Sequence, residues 1–268
     1  MTTEPLQLPE LALTEEEIER VYRGCDGRTL LVGGQSLAFW AQYYRITPVG
    51  VLSAHITRDA DFIGTAQDAS RVAEAMKEFG WTLWKPTMDD ATPQTAKLSK
   101  TVAGHGIKQV DFLSSIVGLD TESIRKRAVR FVRASGAHLN VLHPLDVLAS
   151  RLKNLAHLPS KRHPQGIAQA ALGIEVVRAF IQQQAGEASQ RELLGAIERV
   201  IRIAQDKDLD GVFYEHAFDL LAVVPVKHVT AEEFRAKRWP QVMAAVAEQR
   251  ARYAKRRKSR SRRVMDER

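Results

Sequence analysis

The stretch from Leu30 to Gly64 constrains this chain more than any other. It begins with an apolar run that ends in paired glycines, Leu30-Leu31-Val32-Gly33-Gly34-Gln35-Ser36, and closes on alternating acids, Arg58-Asp59-Ala60-Asp61-Phe62-Ile63-Gly64. The apolar run reads as a buried strand, and the glycines turn it into a helix spanning Ser36 to Tyr44. The acids fall in a second strand, expected from His55 to Ile63 and reached through a loop over Ile46 to Ala54. Residues two apart on a strand share a face, so Asp59 and Asp61 project together.

Two neighbouring carboxylates repel unless a cation lies between them, and magnesium with phosphate oxygens is the natural partner. A two-ion site needs a third acid. Asp111 is the best candidate, because in the apolar strand Val110-Asp111-Phe112-Leu113 an isolated charge is costly. Gly33-Gly34 before a helix lets backbone N–H groups approach a phosphate, and Ser36 adds a hydroxyl. Either motif alone is common; the order of Gly-Gly-x-Ser, Asp-x-Asp-aromatic and a later lone Asp is far more specific.

In these motifs the chain resembles the nucleotidyltransferase superfamily that includes the polymerase-beta-like enzymes, and within it the bacterial branch of AbiEii-type toxins. The resemblance covers roughly residues 28–115, with looser similarity after His143-Pro144. It implies a magnesium-dependent enzyme that moves a nucleoside monophosphate from a nucleoside triphosphate to a hydroxyl acceptor. Asp59, Asp61 and Asp111 would hold two magnesium ions, and Gly33, Gly34 and Ser36 the triphosphate. The acceptor could be RNA, with tRNA favoured by the toxin-like resemblance, or a small antibiotic-type molecule, or a protein side chain. A cognate antitoxin is an implied partner. A non-catalytic binding module that kept the fold is the rival from another class.

The separation of Gly34 from Asp59 is longer than the superfamily's usual dozen or so residues, so Tyr43 to His55 must loop out. That branch also carries a helical lysine, a role open here to Arg151 or Lys153, which lie two apart and point to different helix faces. The segment Ser160 to Gly166, with Lys161 as a phosphate-binding candidate, has no acid where the branch has one. Trp81 and Trp84 read as core residues rather than as a platform for bases.

The expected architecture is α+β: a nucleotidyltransferase-like mixed sheet flanked by helices over residues 1–140, a helical domain over 141–254, and a basic, disordered tail over 255–268. Helices are expected from Ala66 to Phe79 and after capping boxes at Thr14–Glu17, Ser189–Glu192 and Thr230–Glu233. Short strands are expected at Trp81 to Trp84, Lys97 to Ala103 and Gly106 to Leu113, with a polar loop from Met88 to Gln94; Arg125 to Arg133 and His138 to Val141 read as short pieces, extended or helical.

Charge is concentrated at one end. Nine Lys or Arg residues and no acid fall between Arg250 and Arg263, and residues 264–268 add −1, so of the formal +7 the first 249 residues carry −1. Affinity for nucleic acid in the body must therefore be local, while the tail after Tyr253 reads first as a solvated helix end or disordered, with RNA contact the lesser, electrostatically favourable reading. Cys25 is the only cysteine, which excludes an internal disulfide and a cysteine zinc cluster. No apolar run reaches the roughly 20 residues of a membrane span, and Met1 to Pro5 has no signal pattern, so the expectation is a cytoplasmic protein with no membrane partner.

Overall fold

A computed structural model describes residues 8–52 and 56–266, with side chains as far as Ser259. It divides into two units, one ending at Ser150 and the other beginning at Arg151. The division lies ten residues later than the expected boundary at 140, inside a helix rather than at its start.

The first unit is built on a seven-stranded mixed sheet. Helix α1 (Glu15–Cys25) leads into β1 (Leu30–Val32), α2 (Gly33–Tyr43), β2 (Ala60–Ile63), α3 (Ala66–Met76), β3 (Thr82–Trp84), β4 (Gln94–Val102) and β5 (Gly106–Leu113). A short α4 (Thr121–Lys126), β6 (Val129–Val132), β7 (His138–Val141) and the start of α5 (Pro144–His157) complete it. The strand order is β3-β4-β5-β2-β1-β7-β6, with β2 parallel to β5 and β1 parallel to β7.

Alternation along the strands separates the two sheet faces. Phe62 and Phe112 are fully buried and stack with centroids 5.7 Å apart, and Tyr22 of α1 meets Phe62 edge-on. The face bearing these rings is therefore covered by α1, which packs on α3. Asp61 and Asp111, each flanking a buried phenylalanine, belong to the opposite face.

The local signals behave as their chemistry demands. Thr14 and Glu17 form the expected capping box, and so do Ser189 and Glu192; Thr65 and Asp68 form another at the start of α3. Glu17 also accepts a hydrogen bond of 2.6 Å from Lys108 on β5, so one side chain caps a helix and ties it to the sheet.

Several boundaries differ from the sequence reading. Helix α2 begins at Gly33, so both glycines lie in its first turn. Strand β2 begins at Ala60; Asp59 sits in the bend before it, and His55 lies outside the described residues. Strand β4 begins at Gln94, with an irregularity between Gln94 and Ala96, in place of the expected loop end. Trp81 is core at 5% exposure, but Trp84 is 44% exposed, because β3 is an edge strand with one neighbour.

The second unit contains α6 (Pro164–Glu187), α7 (Gln190–Ala204), α8 (Asp210–His216) and α9 (Trp239–Asp266). Helix α7 buries Leu193, Ile197, Val200, Ile201 and Ala204 along one stripe. The third expected capping box does not form as drawn: the Thr230 N–H donates to Gln190 at 2.9 Å, and a π-helical segment, Phe234–Arg238, leads into α9. Helix α9 runs to Asp266, over the basic segment read from the sequence as a solvated helix end or disordered. Among the described residues no helix is long and apolar enough to cross a membrane.

Candidate metal centre

Two strands and a bend bring the acids together. Asp61 of β2 is the direct neighbour of Asp111 on parallel β5, so both project from the open face one strand spacing apart. Asp59 reaches them from the bend, where the Thr57 hydroxyl donates to its carboxylate. One carboxylate oxygen from each of Asp59, Asp61 and Asp111 lies within 4.8 Å of the other two.

The glycine pair is packed against these acids. Gly33 has a φ of +65°, and a Cβ placed there would overlap the Asp61 carboxylate, with Cγ at 2.7 Å. A Cβ on Gly34 would collide with Thr57, whose Oγ1 lies 2.8 Å from that position. Only glycine lets the N-terminus of α2 close on the acids. Val32, the cap residue, supplies no side-chain acceptor, so the first N–H groups of α2 have no side-chain cap. A helix N-terminus is favourable for negative charge. Ser36 is buried and its hydroxyl donates to the Gly33 carbonyl at 2.9 Å, so it braces the turn from inside.

Strand β4 adds two residues that sequence reasoning missed. Gln94 donates to Asp111 Oδ1 at 2.9 Å, and Lys97 Nζ lies 3.7 Å from the same oxygen. Burial pushes the Asp111 carboxyl up to about 6; Lys97 opposes the rise and the charge of Asp59 adds to it. The alternation of buried Ala96 and Leu98 with Lys97 and Ser99 places Lys97 away from the core face. Pairing Lys97 with Asp111 then required the β4–β5 register.

The donor set suits a hard divalent cation. Three carboxylates offer only oxygen ligands, the composition that magnesium or manganese takes. Lys97 offsets part of the negative charge of Asp111, and a divalent ion would offset more of the charge on the three carboxylates.

The remaining candidates belong to the second unit. Arg151 donates to Gln169 at 3.2 Å. Lys153 is paired with Asp206 at 2.7 Å and with Asp208 at 3.1 Å, and these acids hold its ammonium above the ordinary lysine range against the opposing effect of burial. Lys161 closes a single 3-10 turn, and its neighbour Arg162 caps the end of α5 by donating to the Leu155 carbonyl at 2.8 Å.

No protein-family model matches this chain, and no curated protein matches it.

Proposed function

We propose that the chain is a magnesium-dependent nucleotidyltransferase. The observation that carries this reading is the convergence of Asp59, Asp61 and Asp111 beside a glycine-built helix N-terminus. The two features answer the two needs of the reaction: a seat for divalent cations and a cradle for phosphate oxygens. The resemblance of the motifs to nucleotidyltransferases supports the same assignment.

Asp59, Asp61 and Asp111 would hold magnesium, which when bound would neutralise charge on the phosphates and on the leaving group. The backbone N–H groups of Gly33 and Gly34 would receive the triphosphate, with Ser36 keeping their turn rigid. The acceptor hydroxyl would lie beside Asp111, whose Oδ1 is engaged by Gln94 and whose Oδ2 would take the proton. A bond would form between the acceptor oxygen and the α-phosphorus. The bond from that phosphorus to its bridging oxygen would break, and pyrophosphate would leave with the electron pair. The contribution of these residues is positioning and charge balance, the main source of rate in phosphoryl chemistry.

The test is incubation with magnesium and each labelled nucleoside triphosphate, first with total RNA and then with hydroxylated small molecules. Magnesium-dependent release of pyrophosphate with label transfer is expected, and Asp59→Asn should abolish it. Release of no pyrophosphate from any nucleotide, with no binding of manganese, would overturn the reading.

A further inference from the structure

The open face of the sheet carries a registered row of side chains that continues past the acids. Val32 pairs with Asp61, Asp61 with Asp111, Asp111 with Lys97, and Lys97 with Trp84. Residues directly opposite in neighbouring strands project to the same face. Trp84 therefore shares the face of Asp111 at two strand spacings, about 9–10 Å away, with Lys97 between them.

The row has direction. Gly33 and the N-terminus of α2 lie against Asp61, on one flank of the acids, and Trp84 lies on the other. Under the proposed reaction the phosphates of the donor occupy the first flank, which leaves the second to the acceptor. The surroundings of Trp84 are polar. Thr82 and Ser99, the next pair along the same face, join through the Thr82 hydroxyl and the Ser99 carbonyl at 3.1 Å. A half-exposed indole beside an ammonium and two hydroxyls is poorly suited to an apolar protein surface. It is well suited to a nucleobase, which stacks on the ring while its phosphate meets the cation.

We propose that Trp84 and Lys97 form the acceptor subsite, and that the acceptor is the unpaired end of a nucleic-acid strand with a base stacked on Trp84. This rests on the nucleotidyltransferase reading and names its acceptor class.

The experiment measures two affinities separately on the whole chain. One is for a short 5′-labelled single-stranded RNA, by fluorescence anisotropy without nucleotide, with a blunt duplex of the same sequence for comparison. The other is for a nucleoside triphosphate with manganese, by calorimetry. Single strand should bind more tightly than duplex. Trp84→Ala should weaken single-strand binding at least about fivefold, Trp84→Phe should keep most of it, and nucleotide affinity should be unchanged in both. Lys97→Gln should flatten the salt dependence of RNA binding by up to about 0.7 in logarithmic slope. The proposal is overturned if the wild-type protein binds no single strand, if Trp84→Ala binds it as the wild type does, or if Trp84→Ala loses nucleotide instead. Failure of the underlying reading shows separately, as wild-type protein that binds no nucleotide with manganese, and the acceptor assignment then falls with it.

Discussion

The Asp61 carboxylate lies against the α carbon of Gly33, in space that any side chain at position 33 would occupy. One contact thus joins the glycine turn to the acid cluster. Gly33 also has a positive φ, so two separate demands fall on the same residue.

These demands can be measured apart. Gly80 has a φ of +76° with open space around its Cβ position, so Gly80→Ala should show the backbone cost alone, about 1–2 kcal/mol. Gly33→Ala should cost more, by the overlap with Asp61. The excess should shrink in a Gly33→Ala/Asp61→Ala double variant, because the clash is then gone. Urea unfolding of five proteins (the wild type, the single variants Gly80→Ala, Gly33→Ala and Asp61→Ala, and the double variant) tests this; equal losses at Gly33 and Gly80 would count against the contact.

Asp59→Asn and Asp61→Asn should leave the fold intact, since each relieves repulsion among nearby acids. If these acids seat a divalent cation, manganese should raise the wild-type melting temperature by ligand linkage. That rise should be absent in both variants, along with transfer activity. A thermal scan with and without the ion is sufficient to check it.

Glu17 sets part of the acid response. Burial disfavours its charge, but the Lys108 hydrogen bond and the Thr14 cap outweigh this and hold its carboxyl below the ordinary value. A lowered folded pKa gives stability that is present above about 4.5 and is lost as pH falls through the folded value. Glu17→Gln should cost about 1 kcal/mol at pH 7 and should flatten the fall in urea midpoint as the pH drops below about 4.5. A parallel acid titration of the variant and the wild type reads this.

Cys25 sets part of the alkaline response. Burial pushes its thiol up to about 12, and burial raises Tyr22 beside it. A raised folded pKa gives stability that is complete below the unfolded thiol value, about 8.5, and is lost as pH climbs. The loss from Cys25 should reach up to about 2 kcal/mol by pH 10, and Cys25→Ala should lack it. The native thiol should be inert to a disulfide reagent at pH 8 and should react once urea unfolds the chain.

What was legible in the sequence is what depends on near neighbours. A Thr or Ser three residues before a Glu closes a capping box through contacts that span one helical turn, so Thr14–Glu17 and Ser189–Glu192 could be read directly. The exception is instructive. Thr230 and Glu233 have the same spacing, but Gln190, 40 positions away, takes the Thr230 N–H. Strand β1, the helix after the glycines and the acid-bearing strand β5 were readable from apolar runs and turn residues.

The sequence by itself therefore determined the types and order of the pieces: a glycine turn, an acidic bend and strand, a lone acid in an apolar strand, and one segment of concentrated positive charge. The tertiary structure decided which of them meet. Asp111 faces Asp61 because β2 and β5 pair in parallel at that register, and a shift of one residue would send it to the core face. Gln94 and Lys97 join the acids, and Trp84 falls in their row, only through the pairing of β3, β4 and β5. Lys153 is spent on Asp206 and Asp208, more than 50 positions away. Strand register and long-range ion pairs depend on contacts between segments far apart in the chain, and no local pattern of residue types encodes them.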